Sequence, residues 1–139
     1  MILAAYEKWG FSCLEKFNGM FAIAIWDKVK EELFLARDRM GIKPIYFYQD
    51  DALFVFSSEI RSLLSSGMVP RKLNHSHLSE FLEYQTVHAP NTLIANVKML
   101  EAGTWMKVSK SGIDKKNTKM LEAIAMRNEV LKTYDSMLK

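Results

Sequence analysis

One cysteine is all that this 139-residue chain contains. No internal disulfide is possible, which fits a reducing compartment. Long hydrophobic runs are missing as well: no segment approaches the ~20 apolar residues that a membrane span needs. The start, MILAAYEKWG, has no basic leader, and its apolar stretch is too short for a signal peptide. The expected setting is the cytoplasm, with no membrane partner. Charge of one sign is scarce too. Nineteen basic residues against sixteen acidic ones leave +3. The densest run is Lys115-Lys116, with Lys107, Lys110 and Lys119 around it. Nucleic acid demands a concentrated basic stripe with stacking aromatics, so these lysines read as a solvated face. The glycine patterns that cradle phosphates, G-x-x-x-x-G-K-[ST] and G-x-G-x-x-G, do not occur, and neither does a G-x-S-x-G elbow. There is no internal repeat and no low-complexity segment.

What is there suits a packed core. Hydrophobic residues make up 49% of the chain and aromatic ones 12%, too much for a disordered chain. Ile2, Leu3, Ala5 and Tyr6 share one face at helical spacing, so 2–9 reads as a helix stopped by Gly10. That helix opens at the chain start without a cap, as a truncated element would. Phe11, Leu14 and Phe17 form an amphipathic turn that packs inward. The apolar run 20–27, a charged turn and the run 33–38 read as a hairpin. Segments 45–49 and 53–58 are two more strands. Residues 58–67 fit a short helix with Ser58 as N-cap, Ile60, Leu63 and Leu64 buried, and Gly67 at its end. A further helix is expected within 74–87, starting near Ser76 with Leu78, Phe81 and Leu82 inward. Glu101-Ala102-Gly103 is a turn before a strand at 104–109. From 113 the chain reads as a polar linker and then one helix over about 118–137. Strand hairpins with helices grouped outside predict an α+β sandwich.

Candidate chemistry is thin. Cys13 has no histidine within sixty residues in sequence and reads as a buried structural thiol. His75 and His77 diverge at a helix start, and no cysteine or carboxylate completes a zinc set. His88 sits beside the Pro90 loop. The pairs Glu31-Glu32 and Asp50-Asp51 fall in turns. The stretch RDRMGIKPIYF (37–47) asks for more. Arg37 and Asp38 end an apolar strand, where adjacent residues point to opposite faces, so one charge faces the protein. Gly41 permits a positive φ and Pro44 fixes the entry to the next strand. From the residues alone this is a structural corner with a charge clamp, with a direct ligand role as the alternative.

Three segments carry a resemblance: NGMFAIAIWD (18–27), LFLARDRMGIKPIYF (33–47) and FVFSSEIRSLL (54–64). In order and spacing they resemble the glutamine amidotransferase domain of glutamine-hydrolysing asparagine synthase, a class II amidotransferase. Its signature words run NGMFAFAIWD, then L-x-x-A/G-R-D-x-x-G-I-K-P-L-Y, then S-S/A-E-I-K-A-L. Asn18, Gly19, Arg37, Asp38, Gly41, Pro44, Ser58 and Glu59 fall on these words as structural signature residues. The segment 97–112 resembles the end of that domain, with Ala102 where proline is usual. The opening ILAAYEKWG matches the helix before the motif block. The likeness covers about 2–112, the second half of the domain.

The resemblance implies a partial αββα sandwich of the N-terminal-nucleophile-hydrolase type, 1–112, with 113–139 as a helical tail of unassigned role. It implies a parent carbon–nitrogen ligase that moves the amide nitrogen of glutamine to aspartate with ATP and Mg. The family's nucleophile is an N-terminal cysteine whose α-amine acts as base; this chain begins Met1-Ile2, and internal Cys13 is no substitute. The family's NGEIYN segment and its SGGxDS phosphate loop are not in this sequence. The chain alone is therefore expected to be inactive and to need no cofactor. The alternatives are a module that self-associates or complements another half-domain, and a piece of a related amidotransferase with another acceptor.

Overall fold

The computed structural model describes residues 1–117. The apolar runs on either side of the charged turn pair as predicted. Strands β1 (Ala22–Asp27) and β2 (Glu32–Arg37) form an antiparallel hairpin with Ala22 opposite Arg37. Asp27 Oδ1 closes its turn by accepting from the Val29 and Lys30 amides at 3.0 and 3.1 Å. Strands β3 (Tyr46–Gln49) and β4 (Phe54–Ser57) form the second hairpin. Asp50 holds its turn, accepting from the Ala52 and Leu53 amides and the Tyr48 hydroxyl. Two short strands follow, β5 (Val97–Met99) and β6 (Thr104–Ser109), and then β7 (Gly112–Asn117). They assemble into two antiparallel sheets, β1-β2-β6-β7 and β4-β3-β5. With helices α1 (Ile2–Trp9), α2 (Ile60–Ser65) and α3 (Leu78–Tyr84), the chain is α+β.

The period-two alternation of the strands divides their side chains among separate cores. Phe34 and Ala36 of β2 pack with Ile23, Ile25, Trp105 and the N-terminal helical segment, which supplies Ala5, Cys13 and Leu14. Leu35 turns the other way, joining Ile45, Phe47, Leu100 and Met106 in a core between the sheets. Tyr48 and Val97 leave the second sheet on its far side and meet Leu63 and Val69. Strand β2 is thus covered on both faces, whereas β1 alternates buried and exposed residues along its length.

Several expectations need correction. Residues 113–117 are not linker: they form β7, paired with β6 from Ser109↔Gly112 to Thr104↔Asn117. The helix expected over about 118–137 lies outside the described residues. Ile2 and Leu3 are exposed; Ala5 alone of α1 is buried, because only the middle of α1, Ala5 with Tyr6 beside it, meets the sheet core. The helix after β4 begins at Ile60 with Glu59, not Ser58, as its N-cap; Ser57 Oγ takes the Glu59 amide instead, at 3.2 Å. Leu63 is buried there, with Ile60 and Leu64 packed beside it. The next helix starts with a 3₁₀ turn, His75–His77, and spans only Leu78–Tyr84. Its Phe81 and Leu82 are exposed rather than inward, since no described element covers that face of the helix.

Candidate functional site: the corner between the sheets

The chain passes from the first sheet to the second at residues 38–45, between β2 and β3, and returns at 100–103, between β5 and β6. The two crossings lie side by side. The Leu100 amide donates to Ile45 O at 2.8 Å, and the Gly103 amide to Asp38 O at 2.8 Å. Strand ladders cannot satisfy the backbone at such a place, so side chains must. Arg37 and Asp38 do this.

Arg37 is 7% exposed and spends its guanidinium on three carbonyls. Nε donates to Lys43 O at 2.9 Å, Nη2 to Gly41 O at 2.6 Å and Nη1 to Leu100 O at 2.6 Å. The last bond ties the outward crossing to the return crossing, 63 residues on. Asp38 is 1% exposed and serves the amides. Its Oδ1 accepts from Met40 at 3.1 Å and Ile42 at 3.0 Å, and its Oδ2 from Lys43 at 2.9 Å. Burial alone would raise the Asp38 pKa. The amides of Lys43, Ile42 and Met40 outweigh it and hold the carboxyl below its ordinary value. Gly41 has φ +66, and an added Cβ would lie 2.9 Å from Ala102 Cβ and 3.2 Å from the Arg37 guanidinium. Only glycine fits between the two crossings.

Strand alternation alone places one of these two charges in the interior; the structure buries both. Their role is the same in kind: each replaces water at backbone groups that the corner would otherwise strand. Arg39 was not singled out by sequence reasoning. It reaches back to the carbonyls of Phe17 (3.1 Å), Leu14 (3.4 Å) and Glu15 (3.2 Å), tying the same corner to the end of the N-terminal helical segment. The basic residue straight after Arg-Asp was its only signal.

The other signature residues do not converge on this cluster. Asn18 and Gly19 are exposed in the loop before β1, and Ser58 and Glu59 are exposed between β4 and α2. Pro44 is half-buried just before β3. Cys13 is fully buried in the helix-side core, and burial pushes its thiol pKa up. His75 stands apart, while His77 and His88 both meet Glu80: His77 Nδ1 lies 3.1 Å from Oε2, and His88 Nδ1 2.6 Å from Oε1. Among the described residues, no set of three or more His, Cys, Asp or Glu is placed to hold a metal ion, and no helix is long and apolar enough to cross a membrane. At the corner, the donors of Arg37 and the acceptors of Asp38 are already engaged. It organises backbone and leaves little capacity for acid–base or nucleophilic chemistry.

Comparison with known proteins gives the corner its context. A family model described as the glutamine amidotransferase domain matches residues 1–119. Asparagine synthetase [glutamine-hydrolyzing] 3 of Bacillus subtilis is 30% identical over 115 residues, 82% of this chain and 19% of that protein. Asparagine synthetase [glutamine-hydrolyzing] 2 of the same organism is 37% identical over 114 residues, 78% of this chain and 15% of that protein. The chain spans about a fifth or less of the length of these relatives.

Proposed function

Because the chain belongs to the glutamine amidotransferase domain family, we propose that it is the second half of such a domain from an asparagine-synthase-type enzyme. The parent reaction is the ATP-dependent transfer of the glutamine amide nitrogen to aspartate, in the cytoplasm. The 139 residues alone do not carry it out. The single observation behind this reading is how the family words fold. RDRMGIKP becomes a corner whose polar groups hold backbone. Cys13, the one thiol, is internal and fully buried, with its pKa raised by burial. A nucleophile needs the opposite, access and a lowered pKa. We propose that this part of the enzyme holds neither ATP nor Mg: its sequence has no SGGxDS loop, and ATP and Mg belong to the rest of the parent enzyme.

The stacked cores on both sides of each sheet support the αββα sandwich of N-terminal-nucleophile hydrolases. Pairing of β7 with β6 favours a domain part that runs to about 117 rather than 112, leaving the proposed helical tail to the remaining residues. Glutamate release by the purified chain tests the proposal. No release above a boiled control is expected; sustained turnover would overturn it.

A second reading, a module that self-associates or complements another half-domain, rests on one observation. Among the described residues strand β1 is a sheet edge, and its outward residues Ala22, Ala24 and Trp26 are exposed. It has neither a lysine nor a proline to discourage strand addition. Light scattering should then find a discrete dimer or a stoichiometric complex. A monomer that binds no hydrophobic dye would exclude it.

A further inference from the structure

A cavity of about 210 Å³ opens on the side of the second sheet away from the first, beneath α3 and the loop that follows it. That volume is smaller than the ~300–1,000 Å³ of drug-sized ligand sites and suits a small organic molecule. Ile60, Phe81, Leu93 and Met99 make its apolar walls. Gln85, Thr86 and Asn91 add two carboxamides and a hydroxyl to the lining, and no described residue hydrogen-bonds these side chains. No Lys, Arg, Asp or Glu lines it.

The loop that forms this lining is held at both ends. Glu80 Oε1 accepts from the His88 amide at 3.0 Å and meets His88 Nδ1 at 2.6 Å. Thr92, buried, donates its hydroxyl to Val97 O at 2.8 Å. Gln85 is kept left-handed, φ 55, a conformation that strains a non-glycine residue. The backbone that carries these polar groups is thus held beside an apolar slot, with Gln85 and Thr86 at its exposed rim, the usual make-up of a small-molecule site.

We propose that this cavity binds a small uncharged ligand with an apolar body and one amide head, received by Gln85, Thr86 and Asn91. A purely apolar ligand would leave the free carboxamides and hydroxyl of the rim unused, and a charged one would find no counter-charge. The inference stands apart from the amidotransferase reading and holds whether or not that reading does.

The test is an amide NMR titration of the full chain with benzamide, using benzoate and benzylamine as charged counterparts. Benzamide should shift the amides of 81–93 together with those of Tyr46 and Met99, and the charged compounds should not. Gln85→Gly removes one carboxamide at a position whose left-handed backbone suits glycine, so the fold is retained. Asn91→Ala removes the other. Each should weaken benzamide binding about 3- to 10-fold, the equivalent of one lost hydrogen bond. Three results would overturn the proposal: no shifts around the cavity up to the solubility limit of benzamide, equal shifts from the charged compounds, or parental affinity in both variants.

Discussion

Replacing Asp38 by asparagine isolates the charge at the corner while keeping side-chain shape. In the parent, Oδ1 serves the Met40 and Ile42 amides, and Oδ2 the Lys43 amide at 2.9 Å. Asparagine has one acceptor oxygen. If that oxygen keeps Met40 and Ile42, its NH₂ faces the Lys43 N–H, donor against donor. A hydrogen bond to a charged acceptor contributes about 1.5–3 kcal/mol, and a stranded buried donor costs a comparable amount. With relaxation, the net loss is about 3 kcal/mol. For a domain of this size that lowers the thermal midpoint by about 10 °C. The acid limb gives an independent check. The folded-state pKa of Asp38 lies below its ordinary 3.8. Its contribution is therefore full above the unfolded value and is lost as pH falls through the folded one. Melts followed by circular dichroism at about pH 7 and about pH 3 should show the gap between parent and Asp38→Asn narrowing in acid. A variant within about 2 °C of the parent at neutral pH, or a gap unchanged in acid, would refute the reasoning.

Gly41→Ala should cost at least about 2 kcal/mol, because alanine resists the left-handed backbone and its Cβ meets Ala102 Cβ at 2.9 Å. Adding Ala102→Gly should recover only the contact part; denaturant melts of both variants check this, and a neutral Gly41→Ala contradicts it. Glu80 is held at about 2, against an ordinary 4.5, first by the His88 amide, then by the His88 ring, with the His77 ring also contributing. The clasp between α3 and residue 88 is thus intact above 4.5 and opens as pH falls towards about 2. A carboxyl-carbon NMR titration of Glu80 with its midpoint near 4.5 would contradict it.

How much was legible depends on whether an element is local and two-faced. The hairpin at 20–38 was plain, because two apolar runs flank one charged turn and pair with each other. Strand β7, GIDKKN, was hidden. Among the described strands it lies at a sheet edge, with a single large apolar residue, Ile113, packed inward, and edge strands carry the lysines that make a segment look like linker. Helix α3 misled in the opposite sense: Leu82 has helical spacing yet is 73% exposed, since no described element covers that face. At the corner, composition showed that a charge clamp was needed. It could not show that Arg37 reaches Leu100, because sheet topology alone brings the two crossings together. The clasp of Glu80 with His77 and His88 was missed for the same reason: its closing contact spans a loop.

The central claim is that Arg37 and Asp38 act by holding backbone rather than by touching substrate. The most direct test uses a full-length glutamine-hydrolysing asparagine synthetase with asparagine placed at the position matching Asp38. Thermal midpoint and glutamate release are measured on the same preparation. The account predicts that both fall together. Loss of glutamate release at an unchanged midpoint would contradict it and place that carboxylate in the reaction itself.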